Sequence, residues 1–190
     1  MTTQPTKTPA YADHPWQGTV PIEENVELAK DTFRVRFRAP DLARRVLPGQ
    51  FVMMRLSGML DPLLGRPLAV YDVFDEAGEP SMLDVVYLTV GRMTGKLASL
   101  RPGAMLDVWG PLGNGFPPEP AEHLIMVAGG IGQTPFLMLA REYLGLRTYG
   151  EPPRVVPRAK QVTLCYGARG KQWLAGVDDF RACDVDVRLS

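Results

Sequence analysis

Apolar and polar positions alternate without a break over residues 32–39, with Phe33, Val35 and Phe37 on one face and Arg34, Arg36 and Arg38 on the other. That is the period of a half-buried strand, and Ala39-Pro40 ends it. The arginine face reads as solvated outer surface, since acidic residues balance it elsewhere in the chain. Pro48-Gly49-Gln50-Phe51 is a turn feeding a strand over 51–56, and further strand signals cover 66–73, 82–90 and 105–109. One helix interrupts them at 94–100, with Thr94 placed to cap it and Leu97 and Leu100 on one face. Short strands separated by Gly and Pro predict a small antiparallel β-barrel over 18–116, left through the turn-rich run Gly110-Pro111-Leu112-Gly113-Asn114-Gly115-Phe116. Residues 1–17, rich in Thr, Pro and small polar side chains, have no apolar period and read as a disordered leader.

The pattern changes at the stiff segment Pro117-Pro118-Glu119-Pro120, which predicts a linker over 117–123. A buried strand over 124–128, a helix over 134–146 with Thr134 at its cap and Pro135 in its first turn, and a strand over 162–166 make a β-α-β unit. The Pro- and Arg-rich run 150–160 reads as a surface loop, and Val185, Val187 and Leu189 alternate with Asp184, Asp186 and Arg188 as a third strand. A doubly wound nucleotide-binding domain normally has five or six strands. Residues 124–190 are therefore expected to form a partial α/β domain with a parallel sheet.

Composition narrows the function classes. The 190 residues carry 21 Lys and Arg against 21 Asp and Glu, a formal net charge of zero, unlike the basic footprint of a nucleic-acid binder. No apolar run approaches the roughly 20 residues that span a bilayer, and the first residues lack a signal peptide's basic start and apolar centre. A cytoplasmic protein without membrane contact is the simplest expectation. Cys165 and Cys183 have no metal-knuckle or redox spacing and read as buried or incidental thiols. With His14 in the leader and His123 before a strand, no catalytic triad, Cys-His pair or histidine metal motif is apparent. No catalytic residue or metal ligand is assigned, and a cofactor that carries the chemistry suits such a chain.

Two segments could read phosphate. Gly129-Gly130-Ile131-Gly132 follows a strand and opens a helix, where backbone amides can approach a pyrophosphate, although the same residues also suit a plain tight turn. Arg66-Pro67 stands among Leu63, Leu64, Leu68, Ala69 and Val70, so its guanidinium is either a surface charge or a diphosphate clamp at the edge of a cleft. Gly91-Arg92-Met93-Thr94-Gly95-Lys96 adds a helix N-terminus that could serve the same anion.

Pro48-Gly49-Gln50-Phe51, Arg66-Pro67-Leu68-Ala69, Tyr87 with Gly91-Arg92-Met93-Thr94, the 110–116 run, the glycine turn through Pro135, and Tyr166-Gly167-Ala168-Arg169 together resemble, in that order, the ferredoxin-reductase family. In that family a flavin-binding barrel precedes a nicotinamide-nucleotide domain. The Arg-Pro form and the 110–116 run are most similar to the electron-transfer subunits of NAD-dependent dihydroorotate dehydrogenases, and the resemblance covers 18–190.

The resemblance implies an oxidoreductase subunit with FAD held by Arg66, Pro67, Leu68 and Ala69 at the diphosphate and flavin edge. It sets Val86, Tyr87 and Leu88 alongside the flavin and Met93 and Thr94 at the phosphates. Gly129, Gly130 and Gly132 would face the pyrophosphate of NAD, with Arg169 near its adenosine end. In the family, electrons pass from FMN in a dihydroorotate dehydrogenase catalytic subunit through a two-iron iron-sulfur cluster to FAD, then as hydride to NAD. The implied partner is that catalytic subunit, in a hetero-oligomer serving pyrimidine biosynthesis.

Ala69 stands where the family usually has Ser, Leu88 where it has Arg, and Met93 where it has Gly. The family's cluster cysteines lie beyond the position of Ser190, which implies a C-terminally truncated chain or fragment with no cluster of its own and an exposed strand edge. A stand-alone ferredoxin or oxygenase reductase, a sulfide-dehydrogenase-type subunit, and a non-catalytic flavin- or partner-binding remnant are the other readings. Arg169 and Lys171 leave NADP open beside NAD.

Overall fold

Residues 15–190 are described by the computed structural model, and the expected leader lies outside them apart from its last three residues. Two of them, Trp16 and Gln17, depart from the expectation. Strand β1 (Trp16–Ala29) begins ahead of Gly18, because its ladder continues through Gln17 opposite Trp109 and Trp16 opposite Gly110. A turn with Asp31 in the left-handed region (φ 58) leads into β2 (Thr32–Arg38). Helix α1 (Pro40–Arg45) follows, starting on a proline whose missing N–H costs nothing in a first turn.

Strands β3 (Phe51–Leu56), β4 (Arg66–Glu76), β5 (Glu79–Leu88) and β6 (Met105–Leu112), with helix α2 (Arg92–Ser99) before β6, close the antiparallel order β1-β2-β5-β4-β3-β6. Closure removes the unpaired edges that an open sheet would expose. Alternate positions fill the interior, among them Val35, Phe37, Val52, Met54, Leu83, Val85, Leu106 and Val108. Gly110, Pro111 and Leu112, expected in the exit loop, still belong to β6, with Leu112 opposite Phe51. The helix expected from Thr94 starts two residues earlier, with Gly91 as its cap. Thr94 is its third residue, and its hydroxyl accepts from the backbone N–H of Val90 (3.2 Å) and Gly91 (3.3 Å), holding the entry from inside the first turn.

Beyond the barrel, β7 (His123–Gly129), α3 (Phe136–Tyr143), β8 (Gln161–Gly167), α4 (Val177–Arg181) and β9 (Asp186–Leu189) form a parallel sheet in the order β7-β8-β9 with its helices. α3 is shorter than the helix expected over 134–146. Gly130–Gln133 first coil into a 3-10 turn, Pro135 takes the cap, and Gly145 (φ 68) stops the helix in the left-handed region. β7 is covered on one face, with Met126 and Ala128 buried while Ile125 and Val127 on the other face are exposed, against the expectation of a wholly buried strand.

The barrel meets the second unit across a bulge in β4. Val70 pairs with Val85 and Asp72 with Asp84, which leaves Tyr71 as an extra residue. In an unbroken strand Asp72 would share the inward face of Val70. The bulge instead sends Val70 and Val73 into the barrel core and Tyr71 into the core of the second unit. Tyr71 Oη donates to Asp179 Oδ2 on α4 at 2.6 Å, and Arg141 Nη1 on α3 lies 2.8 Å from Asp72 Oδ2. Asp84, buried opposite Asp72, accepts from Arg36 at 2.7 and 2.8 Å, with Arg34 Nε at 3.5 Å. Arg34 also pairs with Glu24. Arg34 and Arg36 are thus not solvated as expected, because the buried carboxylate of Asp84 needs guanidinium partners. A second buried pair, Arg154 with Glu142 at 2.6 and 2.7 Å, fixes the 150–160 segment to α3, and Arg154 Nη1 donates to the Phe116 carbonyl at 2.6 Å.

Two outcomes follow from these contacts. Thr94→Val removes the hydroxyl that the Val90 and Gly91 amides use, and a loss of about 1 kcal/mol is expected in urea unfolding. Burial pushes the Asp72 carboxyl up to about 6 against the pull of Arg141, whereas an unfolded aspartate titrates near about 3.9. The folded chain therefore takes up a proton in that window, and Asp72 contributes less stability as pH rises through it. Melting temperatures of wild type and Asp72→Asn should shift in favour of wild type on going from neutral pH to pH ~5. A shift toward the variant would mean that Arg141 outweighs burial.

Candidate functional site

Two adjoining cavities open where the barrel meets the parallel sheet, one of about 530 Å³ and one of about 580 Å³. They share Leu88 and Ile131. The first is walled by the start of β4 and the end of β5 and finished by the first turn of α2 and the 3-10 turn after β7.

Gly65 fixes the entry to β4. A Cβ there would come within 2.9 Å of the Trp109 ring and 3.1 Å of the Met54 carbonyl, so the chain passes closer than a side chain allows. Arg66 follows it at the cavity wall. Its Nη1 donates to the carbonyls of Leu64 (3.2 Å) and Gly65 (3.1 Å), and no carboxylate among the described residues pairs with it. The guanidinium charge is accordingly open to an anion. Pro67, Leu68 and Ala69 continue the wall from β4, and Val86, Tyr87 and Leu88 supply it from β5. Ala69 brings no hydrogen-bonding side chain.

Met93 and Thr94 line the same cavity from α2, whose first-turn amides have no intrahelical partners and carry the positive end of the helix dipole. The helix is held from beneath. Tyr87 Oη donates to Asn25 Oδ1 at 2.9 Å, and Asn25 Nδ2 donates to the carbonyls of Leu97 (2.8 Å) and Leu100 (3.1 Å) at the far end of α2. The Tyr87 ring also stacks on Phe33 with centroids 5.9 Å apart. Its hydroxyl is spent on positioning, and burial raises the phenol's proton affinity further. Tyr87 therefore lines the wall and steadies α2.

Gly132 reaches the first cavity, while Gly129, Gly130 and Arg169 line the second with Thr32, Gly167, Ala168 and Trp173. A Cβ at Gly129, Gly130 or Gly132 would meet no protein atom within 4 Å, so packing does not demand glycine at these positions. Gly130 needs it for its left-handed backbone (φ 53), and all three leave bare backbone facing open space. Arg169 lies over the Trp173 ring at 4.8 Å, and Lys30 Nζ from the β1–β2 turn lies over the same ring at 4.8 Å. Neither cavity is lined by a carboxylate, histidine or cysteine.

The residues assigned to the cofactors from sequence all line these two cavities, whereas Lys171 does not. Asn25, Thr32 and Trp173 were not foreseen, and Ile131 and Thr134, read from sequence as part of the glycine turn and as a helix cap, were not assigned to a site. Asn25 carries no local signal, since its partner Tyr87 lies 62 positions away, and Trp173 could be found only from its place after the loop that carries Arg169. Among the described residues no three His, Cys, Asp or Glu side chains gather as a metal site, and Cys165 and Cys183 are free. No helix of the described residues is long and apolar enough to cross a membrane.

Known proteins share this arrangement. The profile of the oxidoreductase FAD-binding domain matches residues 19–116, just over half of the chain and nearly all of the barrel. The dihydroorotate dehydrogenase B (NAD(+)) electron transfer subunit of Desulforamulus reducens is 36% identical over 164 residues, 86% of this chain and 57% of the relative. The subunit of the same name from Bacillus velezensis is 36% identical over 123 residues, 63% of this chain and 47% of the relative. The chain thus spans about half the length of the curated relatives it matches. A structure described for flavin-based electron bifurcation, that of an NADH-dependent reduced ferredoxin-NADP oxidoreductase, aligns with a TM-score of 0.69 at 28% identity, covering 90% of this chain and 55% of that one. By its barrel, its cavity walls and these likenesses, the chain belongs to the oxidoreductase FAD-binding domain family and has the two-part ferredoxin-reductase-like fold.

Proposed function

We propose that this chain is the FAD- and NAD-handling part of an electron-transfer subunit, one that takes electrons from a dihydroorotate dehydrogenase catalytic subunit carrying FMN and delivers them to NAD in a cytoplasmic hetero-oligomer. The observation that carries the reading is the junction of two cavities at Leu88 and Ile131, each with its own means of receiving an anion. The residues of the first fit FAD. Arg66 and the first-turn amides of α2 suit a diphosphate, and Pro67, Leu68, Val86 and Leu88 offer an apolar wall to a flat ring system. Its volume, about 530 Å³, lies in the usual range of ligand sites.

The chemistry FAD supplies when bound is transfer of an electron pair as hydride to a nicotinamide. The chain's part is to bind, orient and exclude water. Arg66, Met93 and Thr94 would hold the diphosphate end, while Leu88 and Ile131 form a dry wall common to both cavities. Gly129, Gly130 and Gly132 would present backbone to the pyrophosphate of NAD, and Arg169 would meet its adenosine end. Two electrons from a donor must be joined by one proton before a hydride can pass to the nicotinamide, and with no carboxylate, histidine or cysteine lining either cavity that proton would come from solvent. Cys165 and Cys183 do not fit the four-thiolate set of a two-iron cluster, so no electron path through a cluster is drawn in this chain.

The relatives' names support the partner, since each is called the electron transfer subunit of a dihydroorotate dehydrogenase. Titration of the purified chain with FAD, followed by the flavin's visible spectrum, tests the first cavity. Saturable binding is expected, with Arg66→Ala weakening it ~10-fold or more, as the loss of a charge-assisted contact implies. No binding by wild type would end the flavin reading, and equal affinity in the variant would remove Arg66 from the site.

A further inference from the structure

Lys30 stands on the barrel, in the turn between β1 and β2, yet its side chain reaches the second unit. Its Nζ lies over the Trp173 ring at 4.8 Å, and the Arg169 guanidinium covers the same ring at 4.8 Å. Trp173 and Arg169 both line the second cavity, and so does Thr32, two residues after Lys30. Among the described residues neither cation has a carboxylate partner. Two positive charges over one ring stand within about 10 Å of each other, the Debye length at 0.1 M salt, so they repel. An anion bound between them would be attracted by both.

The turn that carries Lys30 is fixed from both sides. The N–H of Lys30 donates to the Gln172 carbonyl at 2.8 Å, a backbone bond from the barrel to the second unit, and Thr32 Oγ1 donates to the Lys30 carbonyl at 3.2 Å. The Asp31 carbonyl accepts from the N–H of Thr89 at 2.8 Å and from its Oγ1 at 3.2 Å. Thr89 follows Leu88, which is common to both cavities. The stem of Lys30 therefore starts from an anchored backbone at the edge of the second cavity, which lowers the ordering cost of binding a ligand there.

We propose that Lys30 is a dinucleotide-binding residue contributed by the barrel: with Arg169 it holds the adenosine-side phosphate of the diphosphate of NAD, so that the dinucleotide is gripped from both units at once. This rests on the reading of the second cavity as the NAD site and adds to it a contact from the unit assigned to FAD. Held by Arg169 alone, the phosphate would tie the dinucleotide only to the parallel-sheet unit. Held by Lys30 as well, it spans the junction, with the Trp173 ring as the common support of both cations.

The test titrates NAD into the chain loaded with oxidised FAD, with affinity read by calorimetry, so that no electron transfer contributes. Lys30→Gln should keep the flavin spectrum of wild type and bind NAD ~5-fold more weakly at low salt, the scale of an exposed charge pair. Lys30→Arg should hold the wild-type affinity, and the gap between wild type and Lys30→Gln should close at about 1 M salt. Unchanged affinity in Lys30→Gln overturns the proposal. A loss seen with NADP but not with NAD would place Lys30 at a 2′-phosphate and overturn it too. So would a loss that Lys30→Arg shares and that high salt leaves unchanged, which would make the lysine a prop for Trp173. If wild type binds FAD but not NAD, the reading of the second cavity falls and the proposal with it, a result distinct from wild type and Lys30→Gln binding NAD equally well.

Discussion

In β4 one extra residue changes which way two polar side chains point. Without Tyr71 as a bulge, Asp72 would follow Val70 into the barrel core, where a carboxylate has no partner. With it, Val70 and Val73 complete the core while Tyr71 reaches Asp179 and Asp72 reaches Arg141, so one strand serves two cores at once. The position of α3 and α4 against the barrel depends on that local geometry. So does the junction between the cavities, whose far wall is the 3-10 turn leading into α3.

The polar layer at this contact is costly to bury. Asp72 and Asp84 sit opposite each other across β4 and β5, and burial alone would drive both toward their neutral forms. Arg36 grips Asp84 through two hydrogen bonds, while Arg141 answers Asp72 from across the junction. Removing either arginine would leave a buried carboxylate uncompensated, a change more damaging than the net worth of the pair. Such an arrangement specifies one docking of the second unit on the barrel and disfavours sliding. A cavity walled from both sides keeps its shape only if that docking is unique.

Much of this was legible in the chain. The alternation through Phe33, Val35 and Phe37 marks β2, and the segments around Arg66, Gly91 and Gly130, expected from sequence to face phosphate, fall together at the cavity walls. What escaped depended on contacts distant in sequence. The arginines of β2 look solvated until Asp84 and Glu24 are brought beside them by strand pairing. Asn25 sits in a strand with irregular alternation, and its role emerges only when Tyr87 and the end of α2 close around it. The bulge at Tyr71 leaves no mark in an apolar run, because Val70, Tyr71 and Val73 suit either face of a strand. Helix ends were misjudged for a local reason: Thr94 and Thr134 both look like caps, yet Gly91 and Pro135 take those positions.

On the proposed reading, a barrel wall for flavin and a glycine turn for the pyrophosphate of NAD are useful together only if hydride crosses between the two cofactors, and the shared residues Leu88 and Ile131 mark where the two cavities adjoin. Anaerobic addition of NADH to the FAD-loaded chain, with the flavin's visible absorption followed in time, examines that crossing. The absorption should bleach at a rate that saturates with NADH, as a bound nicotinamide beside the flavin requires. A flavin that stays bound and oxidised at saturating NADH would contradict the joined-cavity account.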